Sequence, residues 1–365
     1  MAAPLLIITS ASTSASAPAP ASASAYKRWQ MVSVYSFAHF IVDFACAFLM
    51  FRYIAGTPDA YLCVLLYNFC AFAMQMPIGI IADKLNRNNL LATIGCFLVG
   101  LAHALVSIPV TAVIFAGIGN ALFHIGGGVD VLNISEKKLG PLGVFVSPGA
   151  FGIYYGTMLG RGSALSANAV PLVIIVAMCA IYTVYKSQKG AYPKNAAFSL
   201  EGAGAPDMLI SAVCLFLVVC LRSFLGLALD FSWKSAGHWG TALICAVVFG
   251  KTIGGFIADR FGAFKTALIS LAIATILFLM PHIPAASVAA VLMFNMTMPI
   301  TLWVMAKIMP GAKGFAFGLL TFGLFLGFLP VYLGVDVSQF ISWIFALISA
   351  ASLAILLTGL RRARL

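Results

Sequence analysis

Two stretches decide the reading of this chain: Gly79-Ile-Ile-Ala-Asp83-Lys84-Leu-Asn86-Arg87 and Gly255-Phe-Ile-Ala-Asp259-Arg260-Phe-Gly262. They stand 176 residues apart (79 to 255), close to half of a 365-residue chain, and each closes a long apolar run. A glycine, three apolar residues, an acid and a base recurring in one order at matching places are the mark of a duplicated unit. The surrounding composition says what kind of unit. Hydrophobic residues make up 62% of the chain and charged residues 8%, with a mean hydropathy of +1.05. An average soluble domain carries ~25% charged residues, so this chain has too few to cover a water-facing surface. The apolar runs are continuous and about 20 residues long, which is helical spanning length. Alternating short segments of the barrel type are absent from the sequence.

Working outward from the two stretches, the runs fall at about 31–52, 60–82, 90–107, 109–133, 142–160 and 168–186, then at 208–231, 239–258, 264–281, 284–308, 314–334 and 338–360. The expected organisation is an Ala/Ser/Pro-rich disordered tail (1–28), a six-helix half (29–186), a polar linker (187–207), a second six-helix half (208–360) and a short basic tail (361–365). With the N-terminus inside, sixteen basic residues fall on the cytoplasmic side: Lys27, Arg28, Lys84, Arg87, Lys137, Lys138, Lys186, Lys189, Lys194, Arg260, Lys265, Lys307, Lys313, Arg361, Arg362 and Arg364. Only Arg52, Arg161 and Lys234 fall outside. This asymmetry places both termini in the cytoplasm and the chain in a cytoplasmic membrane. The net charge of +11 then belongs to loops lying against an anionic leaflet, and no nucleic-acid partner is needed. The eight cysteines sit inside apolar runs without paired spacing and read as small hydrophobes.

The two glycine–acid–base stretches resemble the loop motif of the major facilitator superfamily, which recurs between spans two and three and between eight and nine. The first copy keeps Gly79, Asp83, Lys84 and a displaced Arg87, with Asn86 where glycine is usual; the second keeps Gly255, Asp259, Arg260 and Gly262. The resemblance implies twelve helices in two pseudo-symmetric halves, a secondary transporter acting as a monomer, and a cytoplasmic gate at these residues. In such a gate the acid either caps a neighbouring helix N-terminus or pairs with a base. Gly143-Val-Phe-Val-Ser147-Pro148-Gly149-Ala-Phe151-Gly152 is similar to the fifth-span pattern of exporting antiporters; the same residues also read as a kinked, closely packed helix. The strings at 38–48 and 119–128 look most like the small prokaryotic branch of fosmidomycin-resistance exporters.

Charged and polar residues inside spans locate the candidate site, because a charge at the bilayer centre costs at least ~2.5–3.5 kcal/mol. His39 and Asp43 share one face of the first span and are expected to carry a coupling proton, or else to form a static pair. Arg222 in the seventh span either binds an anionic solute or pairs with Asp43. Lys251 occupies the repeat position of Gln75, and both are expected near mid-membrane. Asn120 and His124 share a face of the fourth span beside Gly126-Gly127-Gly128, and Asn295 with Pro299 marks the tenth. Gln75, Asn120, His124, Asn295, Arg222 and Lys251 are the expected substrate residues, whereas Asp130, Glu136, Lys137 and Lys138 are expected in solvent at the cytoplasmic end. No phosphate-cradling loop, no His-Glu-x-x-His or other metal-ligand spacing and no nucleophile motif occurs, so no cofactor and no metal is expected. The leading reading is a proton-coupled transporter of a small solute, anionic if both cations serve it. The alternative is a membrane enzyme, receptor or assembly factor reusing the fold.

Overall fold

In a computed structural model the chain is a helical bundle. The structure describes residues 21–135, 137–162, 165–166, 168–189, 192–200, 205–337 and 341–364. Most of the expected tail (1–20), Glu136, and parts of the expected linker (190–191 and 201–204) lie outside these residues. Twelve apolar helical segments follow one another among the described residues. In the first half they are α1 (Ala25–Ile54), α2 (Ala60–Leu85), α3 (Asn88–Ala102), α4 (Pro109–Ile134), α5 (Gly140–Arg161) and α6 (Ala169–Ser187). In the second they are α7 (Pro206–Ala228), α8 (Trp239–Phe261), α9 (Ala263–Phe278), α10 (Pro284–Ile308), α11 (Lys313–Tyr332) and α12 (Ile341–Arg362). Ten are long and apolar enough to cross a membrane unaided; the two shorter ones, α3 and α9, occupy equivalent places in the two halves. The helix that carries the α1 span is described from Ala21, within the stretch expected as a tail.

Interruptions in the helices follow local chemistry. The α5 ladder breaks at Ser147, ahead of Pro148, whose ring nitrogen has no hydrogen to donate. The α10 helix breaks at Met296–Thr297, ahead of Pro299. Single wide turns occur at Met50–Ile54 in α1 and Phe69–Ala73 in α2.

Within the first half α1 packs along α5, and α3 along α4; in the second α7 packs on α11 and α12. The halves meet along two seams, α2 with α11 and α5 with α8. Glycine permits this approach. A Cβ at Gly79 would lie 2.1 Å from the Gly314 carbonyl oxygen, and one at Gly255 would lie 2.8 Å from that of Leu139. On α5 the glycines of the exporter-like pattern face neighbours in the same way: a Cβ at Gly152 would lie 2.4 Å from the Phe40 oxygen, and one at Gly143 2.7 Å from that of Lys251. The small-residue spacing there serves close helix contact.

Candidate functional site

The buried polar centre of the first half forms where α1, α4 and α5 meet. His39 and Asp43 lie one turn apart on α1, and Asn120 and His124 one turn apart on α4, so both pairs face inward together. Asp43 Oδ2 is 3.2 Å from His39 Nε2, and Asp43 Oδ1 is 3.8 Å from His124 Nε2. Asn120 Nδ2 donates to Asp43 Oδ1 at 2.9 Å, while its own Oδ1 is buried without a partner. His39 Nδ1 lies 2.7 Å from the Phe145 carbonyl oxygen, and His124 Nδ1 lies 2.9 Å from that of Asn120. A carbonyl only accepts, so each Nδ1 carries the hydrogen and each Nε2 presents a lone pair when its ring is neutral. The two Nε2 atoms face one another at 2.9 Å. Any side chain at the adjoining α5 position would displace the pair, since a Cβ at Gly149 would fall 2.3 Å from both Asp43 Oδ2 and His39 Nε2.

The second half contributes two cations. Arg222 on α7 is buried and donates to Thr297 Oγ1 (2.9 Å) and Thr301 Oγ1 (3.2 Å) on α10; its Nε has no partner. Lys251 on α8 reaches the Val146 carbonyl oxygen on α5 at 3.4 Å and interacts electrostatically with both Asp43 and Arg222. Ion pairs among the described residues include His39–Asp43, His124–Asp43 and two on Asp207, and neither Arg222 nor Lys251 takes part in one. The pair between Arg222 and Asp43, one of the two expectations for that arginine, is therefore not formed. Gln75 and Asn295 do not join the centre. Each side-chain amide bonds back to its own helix, Gln75 to the Ala71 oxygen at 2.6 Å and Asn295 to the Val291 oxygen at 2.8 Å. Thr297 and Thr301 carry no signal in the sequence beyond sitting one turn apart near Pro299.

The duplicated stretches act across the halves. Asp83, ending α2, accepts from the backbone N–H groups of Gly314 (2.8 Å) and Phe315 (2.9 Å) at the start of α11. Asp259, ending α8, accepts from those of Leu139 (2.6 Å) and Gly140 (3.0 Å) at the start of α5. Each acid thus caps a helix of the other half, where orphan amides and the helix dipole both favour an anion. Neither pairs with its neighbouring base: Lys84 lies over the Phe198 ring, Arg260 over that of Phe261, and Arg87 is exposed. Asn86 takes the left-handed helical conformation (φ 50°, ψ 42°), which asparagine is among the few non-glycine residues to tolerate, while Gly262 in the second copy also has a positive φ but a different ψ (φ 90°, ψ 150°).

Residues 192–200, between the halves, form neither helix nor strand and lie against this same face. Here the sequence expectation for Asp130 is corrected. It is fully buried and accepts from Tyr35 Oη (2.7 Å), from Asn88 Nδ2 (2.9 Å) and from Tyr192 Oη. Burial and the Asp130 carboxylate push the Tyr192 phenol well above its ordinary range, so it remains a donor at physiological pH. Asn195 accepts from Asn88 (2.7 Å) and Asn133 (2.8 Å) and donates to the Ala82 oxygen (2.9 Å). Ser199 N–H then donates to the Gly311 oxygen of the second half at 3.2 Å. The segment ties both halves together. Lys137 and Lys138 are exposed, as expected. At the opposite face Tyr61 and Tyr332 stack at 4.2 Å, each hydroxyl donating to the other residue's carbonyl oxygen.

No protein-family model matches the sequence, and no curated protein does. Solved structures do match in fold. A variant of the E. coli fucose:proton symporter FucP is 13% identical, with a TM-score of 0.68 over 93% of this chain and 99% of that one. FucP in the outward conformation is 14% identical, with a TM-score of 0.69 over 92% and 98%. A bacterial homologue of the iron transporter ferroportin, in its outward-facing state, is 14% identical, with a TM-score of 0.62 over 93% and 98%. The chain therefore has the major facilitator fold along nearly its whole length.

Proposed function

We propose that this chain is a secondary active transporter of the cytoplasmic membrane. Its halves rock about a site formed by His39, Asp43, Asn120 and His124 on one side and by Arg222 and Lys251 on the other. The observation that carries the reading is the charge arrangement of that site. Two cations are buried or half-buried in the second half without carboxylate partners, facing one carboxylate and two imidazoles in the first. Unpaired charge at this depth is costly and marks a solute or ion pathway. Arg222, with its Nε unpartnered, and Lys251 suit a small anionic solute. Asp43 with His39 suits a coupling proton. The titratable groups around Asp43 are His39 and Cys46 on α1, Tyr67 on α2, His124 on α4 and Lys251 on α8. The sixteen-to-three distribution of basic residues supports a cytoplasmic position for both termini and for the face capped by Asp83 and Asp259. The working unit in this proposal is a monomer in lipid.

The test uses purified chain in sealed vesicles holding a pH step, supplied with a mixture of small carboxylates, phosphate esters and neutral sugars and read by mass spectrometry of the lumen. The account expects an anion to accumulate against its gradient, and to stop doing so when the pH step is collapsed. Accumulation of neutral sugars alone would overturn the anionic assignment, and accumulation indifferent to the pH step would overturn the coupling.

A further inference from the structure

We infer that His39, Asp43 and His124 form a binding site for a divalent first-row transition-metal ion. No metal is expected from the sequence, because no metal-ligand spacing occurs along the chain. The fold brings one ligand atom from each of these residues, 39, 43 and 124 in the chain, within 4.8 Å of the others. The inference shares its location with the proposed coupling centre but does not require transport.

Four observations carry it. First, both Nδ1–H groups are already spent on backbone carbonyls, which leaves two imidazole lone pairs facing each other at 2.9 Å. Two lone pairs at that distance repel unless a positive centre lies between them, and a metal ion or a proton supplies one. Second, the spacing is of the right size. Ligands at 2.0–2.2 Å from a tetrahedral ion stand about 3.3–3.6 Å apart. The two imidazole nitrogens stand 2.9 Å apart, and each lies close to a different oxygen of the Asp43 carboxylate, His39 3.2 Å from Oδ2 and His124 3.8 Å from Oδ1. Third, the supporting contacts are those that metal-binding histidines use, a backbone carbonyl on the remote ring nitrogen and a hydrogen bond on the ligating carboxylate. Fourth, Asn120 leaves a buried carbonyl oxygen unpartnered beside the carboxylate it holds.

The donor set selects the ion. Two imidazoles and one carboxylate favour iron(II), cobalt(II), nickel(II) or zinc, and are poor for calcium and magnesium, which take oxygen ligands. Ion and proton exclude one another, because each uses the same lone pairs. Lys251 opposes the ion, being a cation that acts on His124 and Asp43 from the second half.

The test is a titration of chelator-stripped, detergent-purified chain with cobalt(II) chloride, read by visible absorption and by calorimetry. Expected are one saturable equivalent per chain and a spectrum of nitrogen and oxygen ligands without a thiolate charge-transfer band. His124→Asn and Asp43→Asn should abolish that equivalent, and Asn120→Ala should weaken it about 10–100-fold. Lys251→Gln should tighten it, although the same change weakens an anion. Each variant is scored only on its monodisperse, thermally cooperative fraction. His103→Gln, outside the triad, should bind like the unaltered chain. No saturable binding, a cysteine-type spectrum, or an unchanged isotherm in folded His124→Asn would overturn the inference. Failure here leaves proton-driven accumulation in vesicles to stand or fall separately, and a chain that binds cobalt but accumulates nothing fails only the transport reading.

Discussion

Replacing Asp83 by alanine should open the capped face, and the structure sets the size of the effect. Asp83 is 4% exposed and accepts two charge-assisted hydrogen bonds from the amides of Gly314 and Phe315, both across the boundary between the halves. Such bonds contribute roughly 1.5–3 kcal/mol each. At the lower figure, removing both shifts the closed-to-open equilibrium by about 3 kcal/mol, or two powers of ten. The informative amides are those of Leu139 and Gly140, which Asp259 caps on the other seam and which Asp83 never touches. If both caps close one face as a unit, Asp83→Ala raises hydrogen exchange at Leu139 and Gly140 by up to about 100-fold in lipid nanodiscs. Asp83→Asn, keeping one acceptor oxygen, should give a smaller rise. Faster exchange confined to Gly314 and Phe315 would refute the reasoning, since the two acids would then be independent helix caps.

Other expectations follow from the site. Asp43→Asn should abolish pH-driven accumulation in vesicles while leaving solute exchange measurable, because an amide bonds to Asn120 and His39 but cannot cycle a proton. Lys251→Gln, which copies Gln75 at the repeat position, should lower affinity for the accumulated anion about tenfold or more, the value of one charge-assisted contact, without loss of folded protein. Arg222→Gln combined with Asp43→Asn should not recover binding, since Arg222 bonds Thr297 and Thr301 and not Asp43; thermal-shift and uptake measurements on the single and double variants check this. Tyr192→Phe removes one donor to buried Asp130 and should raise exchange along residues 192–200 and at Gly314 together, by about tenfold for ~1.5 kcal/mol.

The fold was legible because its signals are local and repeated. Apolar runs fall within a few residues of the observed helices, and the two motif copies mark equivalent helix ends. Two helices stop short of their apolar runs: α9 at Phe278, ahead of Pro281, and α3 at Ala102. The site was legible only in part. His39 with Asp43 and Asn120 with His124 each show a one-turn spacing, but nothing in the sequence says that α1 and α4 bring the pairs together through Asp43. Gln75 and Asn295 look alike in a sequence, as polar residues in apolar runs, yet each turns its amide N–H back onto its own helix, and the Gln75 oxygen stays buried without a partner. Asp130 shows the opposite limit. A carboxylate near a helix end reads as solvated, and its burial depends on Tyr192 returning from a segment some sixty residues later. Such contacts depend on where the chain is laid, which composition does not encode.

The central claim is that the two halves alternate access about a buried site. Spin labels at two exposed pairs on a cysteine-free chain in lipid test it most directly: Arg87 with Lys265 on the capped face, and Asp59 with Leu333 on the face of Tyr61 and Tyr332. Pulsed electron resonance then reads both distances with and without Asp83→Ala. The account predicts two populations whose distances change in opposite senses, with the variant lengthening the first pair while the second stays short. A single population at each face, unmoved by the variant, would contradict it, and so would both distances lengthening together.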